Sequence, residues 1–138
     1  MGLTIEGFNI AIDNKGALNI VDSIFINNRV DYMKKNDYGG AIVNNKGASL
    51  TVYNTTFKDN YAKYGGAIYN LGTAQVIDCI FADNKGYDNK NVNVDIYNHN
   101  ASVSIIGIGD SPNVIDHFPM AAWKQKAINA AILTGVTI

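Results

Sequence analysis

Two short motifs recur in phase along the chain, and a recurring unit decides the fold before any single element does. Gly39-Gly40-Ala41-Ile42-Val43-Asn44 returns as Gly65-Gly66-Ala67-Ile68-Tyr69-Asn70. A worn copy follows at Val94-Asp95-Ile96-Tyr97-Asn98. An earlier one stands at Asn9-Ile10-Ala11-Ile12-Asp13, ahead of Asn14-Lys15-Gly16. Between these copies lies the second motif, a phenylalanine with an asparagine three residues on: Phe25 and Asn28, Phe57 and Asn60, Phe81 and Asn84. Five residues before each Phe is Ile20, Val52 or Val76, and seven before is Leu18, Leu50 or Ala74. That period of two marks a strand with one buried face.

The repeat is uneven, 32 residues from Phe25 to Phe57 and 24 from Phe57 to Phe81. Nearly all of the difference falls after the asparagine: ten residues separate Asn28 from Gly39, but four separate Asn60 from Gly65. A constant scaffold with insertions at one corner is how solenoid repeats behave. Composition agrees. The chain holds 19 Asn, 18 Ile and 13 Gly against 2 Pro, with Glu6 its sole glutamate and Arg29 its sole arginine. Straight-chain helix formers are scarce, whereas β-branched residues and turn formers abound. The expected fold is all-β, a right-handed parallel β-helix of about four short coils.

Stacking coils about 4.8 Å apart sets equivalent residues over one another. Phe25, Phe57 and Phe81 are then expected to form an aromatic ladder, and Ile42, Ile68 and Ile96 an aliphatic one. Asn28, Asn60 and Asn84 are expected to stack as an amide ladder, with Asn44, Asn70 and Asn98 as a second. Gly39-Gly40 and Gly65-Gly66 suit a corner needing positive φ or close backbone approach. Cys79 takes the slot of Ser23 and Thr55 and reads as a small internal residue.

The repeats occupy residues 1–108. From 109 to 138 the pattern fails, and Asp110-Ser111-Pro112-Asn113 reads as a turn. Alanines then cluster at 121, 122, 127, 130 and 131 between Pro119 and Gly135, which predicts a helix. It reads first as a cap over the open core end, second as an oligomerisation or partner element.

Several functions are disfavoured. A net charge of −1 and a pI near 6.0 do not suit a nucleic-acid binder. No apolar run approaches the 18 residues of a membrane span. The single cysteine leaves no internal disulfide or multi-cysteine zinc site, and no metal or cofactor is expected. The calcium nonapeptide, the phosphate-cradling GxxxxGK[ST] and the GxSxG serine motif do not occur. Arg29 with Asp31, Lys34, Lys35 and Asp37 reads as a solvated loop. Asp22 and Asp78, stacked about Asn54, read as solvent-facing on the outer side of a strand. His99, in an expected turn, and His117 read as surface residues. Five tyrosines carry the functional interest: Tyr32, Tyr38, Tyr61, Tyr64 and Tyr87 lie in or beside the variable loops, 29–38, 61–64 and 85–92. A row of rings on a rigid scaffold can stack on sugars or pack on a protein, or the rings can cover the corner themselves.

GGAI paired with FxxN resembles the repeat of chlamydial polymorphic membrane proteins. The fuller pattern, GGAIYN followed by G, V, C, F and N, resembles adhesin-like surface proteins of methanogenic archaea. The resemblance covers residues 8 to 108. It implies a secreted, surface-displayed β-helix engaged in adhesion, with no catalytic residues to carry over. The chain departs from those families in being far shorter and in opening with Met1-Gly2-Leu3-Thr4, which has no signal-peptide pattern, so a fragment is one reading. The expected function is a non-catalytic, adhesin-like cell-surface module, extracellular, binding a glycan or protein through its corner loops. The first alternative is a carbohydrate-active enzyme, a lyase or hydrolase, which needs a cleft of converging Asp and Lys or Arg. The second is a structural unit that assembles end to end, forming homo-oligomers through uncapped coil ends or the C-terminal helix.

Overall fold

A computed structural model describes residues 2–30, 39–86, 92–106, 112 and 114–117. Among these residues there is no helix, and the chain winds through sixteen short strands. The first coil holds β1 (Thr4–Glu6), β2 (Ile12–Asn14) and β3 (Ala17–Val21). The second repeats the same turn with β4 (Ile24–Ile26), β5 (Ile42–Asn44) and β6 (Ser49–Tyr53). The third adds a strand: β7 (Thr56–Lys58), β8 (Tyr61–Ala62), β9 (Ile68–Asn70) and β10 (Thr73–Ile77). The fourth has β11 (Ile80–Ala82), β12 (Lys85–Gly86), β13 (Val92–Asn93), β14 (Ile96–His99) and β15 (Ser102–Ile106). A fifth turn is begun by β16 (Val114–His117).

Each strand pairs in parallel with its equivalent one coil away. Three long stacks result: β1-β4-β7-β11, β2-β5-β9-β14-β16 and β3-β6-β10-β15. This is a parallel β-solenoid. A fourth, narrower stack joins β8 and β12, which β13 completes in the antiparallel sense. Strand β16 carries the second stack past residue 108, in register with β14, over residues expected to run from turn towards helix. The helix expected between Pro119 and Thr134 lies outside the described residues.

The core is a set of columns. Phe25, Phe57 and Phe81 stack nearly parallel at 5.1 Å between successive centroids, and Phe57 is fully buried. Ile12, Ile42, Ile68, Ile96 and Val114 form a second column, and Ile20, Val52, Val76 and Ile105 a third. The last member is 45% exposed, so the core is open at that end among the described residues. Two columns are polar. Asn14, Asn44, Asn70 and Asn98 are linked by side-chain amide bonds of 2.8, 2.8 and 2.9 Å. Asn28, Asn60 and Asn84 are linked at 3.0 and 2.9 Å.

Asn60 shows why the amides are tolerated in a dry core. Its Nδ2 donates to Phe25 O and Asn84 Oδ1, while its Oδ1 accepts from the Asn28 backbone N–H and from Asn28 Nδ2. Both donors and both lone pairs are used, so burial leaves nothing orphaned.

The glycine pairs serve close approach, not left-handed backbone. Neither Gly40 nor Gly66 has positive φ. A Cβ on Gly66 would meet the Lys85 backbone nitrogen and lie 2.7 Å from Asn60 O. Two corners take the left-handed conformation with Asx residues instead: Asp22, Asn54 and Asp78 before the Phe strands, and Asn27, Asp59 and Asp83 after them. Asn and Asp accept that conformation better than other side chains.

Cys79 is a core residue. Its Sγ donates to Ile77 O, as Thr55 Oγ1 does to Tyr53 O and Ser23 Oγ to Val21 O. Burial pushes its thiol pKa up, the Asp78 carboxylate adds to that, and the backbone hydrogen bonds oppose it.

Asn60→Ala removes four buried hydrogen bonds and is expected to lower unfolding free energy by about 3 kcal/mol or more. Gly66→Ala is expected to cost about 2–3 kcal/mol through overpacking. Exposed Gln75→Ala serves as the control, within about 0.5 kcal/mol of the parent by urea denaturation. In the native protein Cys79 is expected to resist alkylation at pH 8, and to react fully once urea unfolds the chain. The raised pKa keeps it protonated there, and its burial blocks access.

Candidate functional site

The two-residue strands are what position a site. Arg29 bridges to Tyr61, and Tyr61 pairs with Lys85, so these three residues form one outward row on successive coils. The residues after them, Val30, Ala62 and Gly86, turn inward and are buried. Arg29 therefore belongs to the scaffold. This corrects the expectation that it lies in a solvated loop, and it shows that the loops expected at 29–38, 61–64 and 85–92 begin as strand. The Asn28, Asn60, Asn84 ladder lies directly beneath, and its hydrogen bonds fix the spacing of the row.

On the other side of the buried amides runs the row Asn27, Asp59 and Asp83, all left-handed. Between the rows is a shallow open cavity of about 350 Å³ that both rows line. The Arg29 guanidinium carbon sits 4.6 Å from the centroid of the Tyr61 ring, a cation–π contact. The groove thus offers carboxylate acceptors on one wall, with cations and an aromatic ring on the other. Among the described residues, the ion pair within 4 Å is Lys15 with Asp13, far from this groove in sequence and both well exposed.

The tyrosines divide. Tyr61 lines the groove. Tyr64 packs elsewhere, against Tyr97 at 4.9 Å and Tyr69 at 5.7 Å, and Tyr69 stacks on Tyr97 at 5.6 Å. Tyr69 is only 5% exposed, so this second group of rings covers the outer face of β9 and β14. Tyr32, Tyr38 and Tyr87 lie outside the described residues. Tyr69 and Tyr97 both occupy the fifth position of the GGAIYN copies, so the recurrence alone is enough to stack them. A turn is the expected place of His99. The structure ends β14 on His99, whose ring lies 6.2 Å from Tyr69.

Asp22 and Asp78 sit at a corner, not on the outer side of a strand, and the intervening Asn54 donates to Asp22 Oδ1 at 2.7 Å. Apolar side chains flank that corner: Val21, Tyr53 and Ile106 on one side and Ile24 and Ile80 on the other are each more than 40% exposed. Among the described residues, no group of three or more His, Cys, Asp or Glu side chains gathers where it could hold a metal ion. No helix of the described residues is long and apolar enough to cross a membrane.

No curated protein and no solved structure matches the chain. Residues 54–71 match the model of the Chlamydia polymorphic membrane protein repeat. The matched stretch begins at the left-handed Asn54 and takes in Phe57, Asn60 and the Gly65-Gly66 pair. It ends one residue beyond Asn70, so the likeness is to a single coil and to the residues that build its ladders.

Proposed function

We propose that the chain is a non-catalytic, adhesin-like module of a cell surface, which holds a glycan or protein partner at the corner carrying Arg29, Tyr61 and Lys85. The observation that carries this reading is the row itself: three outward side chains fixed on successive coils above a fully bonded amide ladder, bordering an open groove. A rigid display of this kind lowers the ordering cost of binding, because the scaffold is already in its bound form. The likeness of residues 54–71 to the Chlamydia polymorphic membrane protein repeat supports surface display. Tyr32, Tyr38 and Tyr87 belong to the same loops in sequence and join the proposed contact surface.

The groove also favours a second reading, a carbohydrate-active enzyme, because Asp59 and Asp83 face Arg29 and Lys85 across it. Paired carboxylates and a nearby cation are what glycoside hydrolysis or proton abstraction needs. The two readings part on turnover. Labelled protein is expected to be retained on intact cells or on a glycan array, and Tyr61→Ala with Lys85→Ala is expected to weaken retention at least about tenfold, roughly 1.4 kcal/mol. Both side chains point outward, so the melting temperature should stay close to the parent's. Unchanged retention in the double variant, or none in the parent, defeats the binding reading. Release of sugar fragments from a bound polysaccharide, lost in Asp83→Asn, establishes the enzyme instead.

A further inference from the structure

The two left-handed corners solve the same backbone problem with different charge arrangements. At the first, Asn54 lies between Asp22 and Asp78 and bonds to Asp22. At the second, Asp59 and Asp83 occupy consecutive coils with no amide between them. Asn27 shows that the corner accepts a neutral amide, with φ of 55° against 54° and 56° for the two aspartates. The fold therefore does not require these charges. Like charges in adjacent strands, about 4.8 Å apart, oppose one another and lower stability. No lysine or arginine among the described residues lies within ion-pair distance of either carboxylate. Lys85 and Arg29 line the opposite wall, on either side of Tyr61 in their row, and form no ion pair with either carboxylate. A corner where, among the described residues, two carboxylates and two cations line one cavity without ion-pairing is arranged for a ligand that carries both kinds of partner.

We infer that the groove takes an acidic polysaccharide, running along the solenoid axis, and this rests on the binding reading above. A pyranose ring packs against the Tyr61 and Arg29 pair. Its hydroxyls donate to Asp59 and Asp83, and its carboxylate accepts from Lys85 and Arg29. The coil spacing is close to the advance of one sugar unit along an extended chain, so successive units meet Arg29, then Asp59 with Tyr61, then Asp83 with Lys85. A neutral glucan leaves both cations unanswered. A nucleic acid brings phosphates against the two carboxylates, and the chain's net charge of −1 gives no compensating attraction. Two carboxylates alone are also a poor cage for a calcium ion, which takes six or more oxygens.

The test is a calorimetric titration of the full chain with polygalacturonate in EDTA, with neutral dextran as the comparison. Polygalacturonate is expected to bind and dextran to bind at least about tenfold more weakly. Lys85→Gln and Asp83→Asn are each expected to reduce polygalacturonate affinity by roughly fivefold to tenfold. Raising salt from 0.05 to 0.5 M, about a threefold shortening of the screening length, should weaken it further. Equal affinity for dextran, unchanged affinity in both variants, or binding that appears only when calcium replaces EDTA would each overturn the inference. Its failure is separable from that of the binding reading. If Tyr61→Ala with Lys85→Ala abolishes retention on cells while polygalacturonate neither binds nor competes, the corner is a binding site and the ligand is not an acidic glycan.

Discussion

Five side-chain amide bonds link the buried asparagines of successive coils, and they hold those coils in register. A one-residue slip of either neighbouring coil would bring Asn27 or Arg29, or Asp83 or Lys85, into register with Asn60 in place of its ladder partner. It would orphan groups that now make four hydrogen bonds. Phenylalanine and isoleucine columns supply most of the apolar burial, yet they tolerate sliding better than amides do. The ladders therefore specify, and the apolar columns stabilise. Because the amides lie directly under the outward row of Arg29, Tyr61 and Lys85, the same bonds that set register also set the spacing of the candidate site.

The corners divide the work in a similar way. Ser23, Thr55 and Cys79 turn inward and bond the carbonyl two residues earlier, while their neighbours Asp22, Asn54 and Asp78 take the left-handed turn and face outward. A hydroxyl or thiol is small enough for the inner slot, and Asx is suited to the outer one. The second corner uses Asn27, Asp59 and Asp83 with the buried amides beside them. Chain length varies beyond this point, after the two-residue strands have formed. Insertions can therefore differ in size without disturbing the ladders, which is why Phe25 and Phe57 stack although 32 residues separate them.

The columns were legible in the sequence because a period of two sustained over five residues leaves little choice of face, as in Leu18-Asn19-Ile20 and Leu50-Thr51-Val52. The narrow stack was not. Arg29-Val30, Tyr61-Ala62 and Lys85-Gly86 are too short to show a period, and their inward members shrink from valine to glycine. Only their constant place after Asn28, Asn60 and Asn84 could have revealed them. The groove was missed for the same reason: its acidic row sits at left-handed positions, where Asp and Asn carry the same conformational meaning and the charge passes unnoticed. The rings of Tyr69 and Tyr97 were readable from register alone, but their cover over the outer face depends on Tyr64, which reaches them from a loop.

The ladders also have a direction. In both polar columns each Nδ2 donates to the Oδ1 of the following coil, never the reverse. Such a column needs an acceptor at its last member, and it can grow only while each new member brings an amide. Asn84 donates to Asp95 Oδ1 at 2.9 Å, and Asp95 is buried. The Asp95 backbone stands where Ala67 stands one coil earlier: Ala67 and Ile68 donate to its carbonyl as Ala41 and Ile42 donate to that of Ala67. The worn copy Val94-Asp95-Ile96 is therefore not merely a decayed GAI. The Asp95 Oδ1 accepts from the last amide, and aspartate has no side-chain amide with which to repeat the Asn-to-Asn bond. At its first member the ladder needs a donor instead. Asn28 is satisfied there by the Phe8 N–H at its Oδ1 and by Ile5 O at its Nδ2. Polarity thus gives the solenoid two chemically different ends, and the substitution of aspartate for alanine in the fourth coil closes one of its ladders where the regular repeat stops.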